Sequence, residues 1–199
     1  MINQTKNSYY LTGFFLVFFA GLLWSFGVVT VRYMVDAHQF VFQYLFCRGI
    51  AVAVILVCFL FYREGFSFYT NFAKVGMPGL IGGFGLAVAF TGFIFSITMT
   101  TAAVTLFMLA IMPFIAAIIA YFALGENLRK LTFISMIIAF VGVGIMIYND
   151  SLEGSFIGAL TGFFSATGFV LYTVTIRWRP ETPKFTTVVL AGSFCAIFS

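Results

Sequence analysis

Apolar runs of about twenty residues alternate with short polar gaps along the whole chain. The run Thr101–Leu124 shows the pattern best, with no charge until Glu126. As a helix it measures roughly 36 Å, enough to cross a hydrocarbon core of about 30 Å. Pro113 lies near its centre. A proline there removes the backbone bond to the carbonyl of Leu109 and kinks the helix. In lipid, the freed carbonyl needs cover from neighbouring helices or a water-filled cavity. Leu124-Gly125-Glu126 closes the run with a glycine stop and a charge. Length, kink and sharp exit predict a helix that lines a pathway.

The same reading predicts spans at Leu11–Val31, Val41–Tyr62, Val75–Ile97, Leu131–Tyr148 and Ser155–Ile176, which with Thr101–Leu124 makes six complete helices. A further apolar run from Phe185 to Ser199, roughly 22 Å as a helix, predicts part of a seventh. The expectation is an all-α polytopic membrane protein, truncated inside helix seven, whose missing C-terminal half completes the bundle. Tyr9, Tyr10, Tyr33, Tyr62 and Tyr148 stand at span ends, as interfacial aromatic belts do.

Composition strengthens this picture. Hydrophobic residues make up 62% and charged residues 8%, against about 25% charged in a soluble domain. Lys6, Arg63, Lys74, Arg129, Lys130, Arg177, Arg179 and Lys184 fall on one side of the predicted bilayer, and only Arg32 on the other. Lysine and arginine mark the cytoplasmic side, so the N-terminus is expected there. The net charge of +4 therefore reports topology, and no nucleic-acid partner is expected. Asp36, Glu64, Glu126, Asp150, Glu153 and Glu181 lie in gaps, which leaves no membrane-embedded carboxylate for a proton relay. Cys47, Cys58 and Cys195 sit in apolar runs without a CxxC spacing and read as small core hydrophobes. His38 is the single histidine, so no paired-histidine metal site can form, and no GxSxG turn occurs. The expectation is no catalytic residues, no metal, no cofactor and no enzymatic activity.

An internal repeat follows from sliding the sixth span onto the first. At an offset of 145, Gly13 meets Gly158, Phe18-Phe19 meets Phe163-Phe164, Val29-Thr30 meets Val174-Thr175, and Arg32 meets Arg177. The copies are an odd number of spans apart, so they enter the membrane from opposite sides. That predicts an inverted repeat of five-helix units, a common build for secondary transporters. Residues 1–150 form the first unit, and residues 151–199 begin the second.

Thr101-Ala102-Ala103, Pro113, Leu124-Gly125-Glu126 and Gly142-Val143-Gly144-Ile145-Met146 resemble the signature of the EamA family of the drug/metabolite transporter superfamily. Gly21-Leu22-Leu23-Trp24-Ser25 and Cys47-Arg48-Gly49 add to the resemblance, which covers essentially the whole chain. It implies ten helices in two repeats, both ends cytoplasmic, and transport of small organic metabolites by alternating access.

Several residues are candidates for the wall of a substrate cavity. Arg48 lies inside a span, where a charge usually faces a bundle interior or cavity. It can hold an anionic group, snorkel to the interface, or pair with Asp36. Trp24, mid-span, offers an aromatic wall and an indole donor, or packs beside Gly21 and Gly27. Thr98, Thr100, Thr101 and Thr105 can face a substrate, or cap and back-bond their helices. Phe107 and Met108 are expected to shape an apolar part, with Pro113 bending the helix. Glu126 with Arg129 reads as a clamp in a cytoplasmic loop. Gly154, Gly158, Gly162 and Ala166 form a small-residue ridge that permits close helix contact, as do Gly79 with Gly83 and Ala116 with Ala120. The alternative reading is a non-transporting membrane subunit, or inactive fragment, that needs a partner such as a second copy of the chain to complete its bundle.

Overall fold

The computed structural model describes residues 2–34, 39–125, 130–148 and 156–199, with side chains from residue 11 onward except at 124, 143–144 and 146–148. Every regular element described is helical. Lipid offers backbone groups no partners, and a helix satisfies them within one segment.

Residues 1–37 form a unit of their own. It holds α1 (Ile2–Tyr33), of which Leu11–Tyr33 is apolar and long enough to cross a membrane. Its polar side chains fold back on the helix: Ser25 donates to the carbonyl of Gly21 (3.0 Å) and Thr30 to that of Phe26 (2.9 Å).

The second unit runs from His38 to Ser199. It contains α2 (Val41–Glu64), a 3₁₀ turn (Gly65–Ser67), α3 (Phe68–Met99), α4 (Ala102–Ala110), α5 (Met112–Leu124), α6 (Lys130–Tyr148), α7 (Phe156–Trp178) and α8 (Lys184–Phe198). Membrane-length apolar stretches here are Val41–Met99, which holds both α2 and α3, then Ala102–Ala123 and Phe156–Trp178. Lys130–Gly142 and Lys184–Phe198 are shorter apolar helices. Among the described residues the protein is thus all-helical, with about four apolar stretches able to cross a membrane.

Two helices differ along their length from what the apolar pattern suggests. The third begins at Phe68, seven residues before Val75, yet it breaks at Gly76, where φ is 54° and ψ −169°. Glycine reaches this left-handed region without a Cβ clash. Pro78 follows in the first turn of the resumed helix, where a missing N–H costs nothing. The fourth expected helix, Thr101–Leu124, is two helices that meet at Ile111. The Ile111 N–H donates to Met108 (3.2 Å) and the Phe114 N–H to Ile111 (3.0 Å), a tightened turn that uses up local carbonyls. Pro113 then stands in the first turn of α5 and interrupts no regular ladder. Gly125 ends α5 in a left-handed conformation (φ 67°, ψ 20°) and donates to Tyr121 at 3.1 Å. The expected clamp residues Glu126 and Arg129 lie outside the described residues, as do Asp36 and His38.

The centre of the second unit is the antiparallel contact of α3 with α7. Glycines on both helices bring backbone against backbone. A Cβ added at Gly168 would lie 2.4 Å from the Gly85 carbonyl oxygen and 2.9 Å from the Ala89 nitrogen. One added at Gly92 would lie 2.6 Å from the Thr161 oxygen and 3.0 Å from the Ser165 nitrogen. Further along, Gly158 faces Met99 and Thr100, and Gly162 faces Ser96 and Met108. Ser165 bridges the helices by donating to the Ala89 carbonyl at 2.7 Å. On the other side α8 lies between α2 and α3. It runs parallel to α3 and antiparallel to α2, which it crosses at Gly49 and Gly192.

Gly168→Ala is expected to lower thermal stability in detergent by about 1–3 kcal/mol, because backbone atoms cannot yield to the methyl group. Gly142 has nothing within 4 Å, so Gly142→Ala is expected to be neutral or to stabilise by up to about 1 kcal/mol. Melting curves of the two variants against the parent check both.

Candidate functional site

A cavity of about 370 Å³ opens between α3, α7 and α8. Its longest wall is a stripe on α3: Phe84, Ala87, Val88, Thr91, Gly92 and Phe95. Those positions recur at three- and four-residue steps, so one helix face carries them all. Thr161 and Phe164 come from α7, and Phe194, Cys195 and Phe198 from α8. The cavity exists because the same stretch of α3 clamps and props. Gly92 lets α7 touch its backbone, while Phe84 meets Phe194 (6.3 Å) and Phe198 (6.5 Å) of α8 edge to face.

The lining is apolar and carries no charged side chain. Its few polar atoms are engaged by the protein. Thr161 donates to the Gly158 carbonyl (2.9 Å). Cys195 donates its thiol hydrogen to the Ala87 carbonyl (3.7 Å), and Thr91 approaches the Cys195 sulfur at 4.0 Å. A thiol has one hydrogen, so the Thr91 hydroxyl is the donor to sulfur. Such a chamber can hold a hydrocarbon body; it has no paired acid and base for covalent chemistry. Among the described residues no group of histidine, cysteine, aspartate or glutamate could hold a metal.

The residues singled out from sequence do not gather around this cavity. Trp24 lies on α1, in the first unit. Arg48 stacks on α3, its guanidinium carbon 4.7 Å above the Phe90 ring. Thr101 is the N-cap of α4 and accepts from the Val104 N–H at 3.2 Å. Thr98 back-bonds to Ile94 (2.9 Å). Thr105 and Ser96 are fully buried and share a hydrogen bond of 2.9 Å that ties α4 to α3. Phe107 packs its ring on Phe140 of α6 at 4.7 Å, and Phe114 reaches the same ring at 5.6 Å. Met108 fills the space left by Gly162. Sequence reasoning passed over Phe84, Phe95, Phe164, Phe194 and Phe198. With 29 phenylalanines in the chain, no single one stands out. The helical spacing of Phe84, Val88, Thr91 and Phe95 was the one available signal.

The family model for EamA-like transporters matches residues 11–148, more than half of the chain. No curated protein and no solved structure matches it.

The buried Ser96–Thr105 pair is expected to behave as a coupled unit. Ser96→Ala and Thr105→Val should each cost about 1 kcal/mol of stability. A double-mutant cycle read by thermal unfolding should give a coupling of about 0.6–1.7 kcal/mol.

Proposed function

The chain belongs to the EamA-like transporter family, and on that premise we propose that it carries a small organic solute across a bacterial inner membrane by alternating access. The family match is the observation that carries this reading. Apolar helices of membrane length fit it, and so does a ring-lined cavity of about 370 Å³ within the helical bundle.

In this reading α1 to α6 form one five-span repeat over residues 1–150, with α4 and α5 sharing a span. Helices α7 and α8 open an inverted second repeat from residue 151. The crossing of α2 with α8, the second spans of each repeat, supports it. An added Cβ at Gly49 would meet the Gly192 oxygen (2.6 Å) and the Ala196 nitrogen (3.0 Å). One at Gly192 would meet the Gly49 oxygen (2.8 Å) and the Ala53 nitrogen (3.3 Å). Each helix thus offers a glycine and an alanine four residues on, and the contacts are reciprocal, as a local two-fold axis requires. The lysines and arginines orient the N-terminus toward the cytoplasm. Arg48, Trp24, Thr101, Phe107 and Met108 remain proposed contributors to the solute pathway. The joint at Ile111–Pro113 is the proposed point where the fourth span bends during exchange.

Proteoliposomes holding the full chain should exchange at least one labelled solute from a panel of amino acids, sugars, nucleosides and organic acids. No counterflow with any of them would sink the carrier reading. Pro113→Ala restores a backbone donor and favours a continuous helix. It should alter stability by less than about 1 kcal/mol yet slow exchange severalfold. Flux and melting temperature measured on one preparation separate the two effects.

A further inference from the structure

The cavity between α3, α7 and α8 selects by what its wall offers and what it withholds. Its α3 stripe starts at Phe84, about 12 Å along the helix from the break at Gly76, and runs roughly 16 Å to Phe95. Every lining residue belongs to a helix, so the backbone amides there are spent on helical bonds. The side chains add no free donor. The Thr161 hydroxyl hydrogen goes to the Gly158 carbonyl, the Cys195 thiol hydrogen to the Ala87 carbonyl, and the Thr91 hydroxyl hydrogen to the Cys195 sulfur. No charged side chain of either sign lines the cavity. A solute oxygen that accepts hydrogen bonds in water loses them here, and an ion loses its hydration without gaining a counter-charge.

What the wall offers is rings. Phe84, Phe95, Phe164, Phe194 and Phe198 come from three helices. The Phe84 ring stands nearly perpendicular to those of Phe194 (80°) and Phe198 (79°). A further aromatic ring extends such an edge-to-face set favourably, beyond what its buried area gives. Phe84 and Phe164 remain about half exposed, so the chamber is reachable from outside the bundle. Its volume of about 370 Å³ is that of a small-molecule site.

We infer that this cavity binds an uncharged aromatic solute of one or two fused rings. The hydroxyl oxygens still accept, so a single N–H or O–H on the ring is tolerated. Carboxylates, phosphates and ammonium groups are selected against, because the wall has neither donors nor charge for them. A phospholipid headgroup finds no partner on this wall for the same reason. This inference deepens the solute-carrier reading and rests on it, but equilibrium binding tests it apart from flux. Binding without transport of any solute sinks the carrier reading alone. Transport of some other solute, with no binding of the probe, sinks this inference alone.

The probes are indole, indole-3-acetate and tryptamine, which share one ring system and are neutral, anionic and cationic at about pH 7. Equilibrium dialysis on the full chain in phosphatidylcholine nanodiscs measures binding, and empty discs correct for partition into lipid. Indole should bind saturably, ahead of both ions by about tenfold or more. Phe164→Ala and Phe198→Ala should each weaken it about three- to tenfold. Phe156→Ala, on an exposed ring of α7 outside the lining, should leave it unchanged. Naphthalene should displace indole about twofold or more better than decalin, which has the same carbon skeleton without aromatic rings. Uptake no greater than in empty discs overturns the inference, and so does equal binding of either ion. Unchanged indole binding by whichever of Phe164→Ala and Phe198→Ala elutes like the parent overturns it too. Equal displacement by decalin assigns the chamber to hydrocarbon in general, lipid chains included, with the same consequence.

Discussion

The second unit depends on the approach of two backbones, α3 and α7. Lipid tails are as apolar as leucine, so burying side chains between helices gains little in a bilayer. Association must come from close van der Waals contact and from hydrogen bonds between helices. Glycines at 85 and 92 on α3, and at 158, 162 and 168 on α7, provide the first. The Ser165 hydroxyl on the Ala89 carbonyl provides the second. Each glycine faces a partner at one height only, so together they fix the register of the pair.

That register places the chemistry. Gly92 stands among larger residues on α3, with Thr91 beside it and Phe84 and Phe95 one to two turns away. Where the small residues fall, the helices close. Where the rings fall, they cannot, and a chamber stays open between α3, α7 and α8. The second glycine crossing, Gly49 with Gly192, draws α2 onto α8 and so brings Arg48 over Phe90. Among the described residues, what meets this cation is a ring face and not a carboxylate.

Breaks in the helices obey the same constraint on backbone polar groups. At Gly76, Ile111 and Gly125 the chain leaves regular helical geometry. At Ile111, local turn bonds take up carbonyls within the apolar stretch, and at Gly125 they close the helix end. The α4–α5 joint packs on α7, with Met108 seated at Gly162 and the Ser96–Thr105 bond close by. A bend there would act directly on the helix pair that positions the cavity.

The sequence by itself determined the class. Apolar runs of span length, few charges and the motifs around Pro113 and Gly125 suffice for an all-helical membrane protein of the EamA-like family, because span length and charge exclusion are local properties of the bilayer as solvent. It also marked the small-residue ridge on the sixth predicted span, since glycine at four-residue spacing has few other uses in lipid. Neither the break at Ile111 nor the helix start at Phe68 was legible, because a proline does not say which carbonyls its neighbours will satisfy. The cavity was decided by tertiary structure alone. Five phenylalanines from three helices line it, and which of 29 meet depends on helix register. Register is set by contacts between residues some 75 positions apart, such as Ser165 with Ala89, and no local pattern records those.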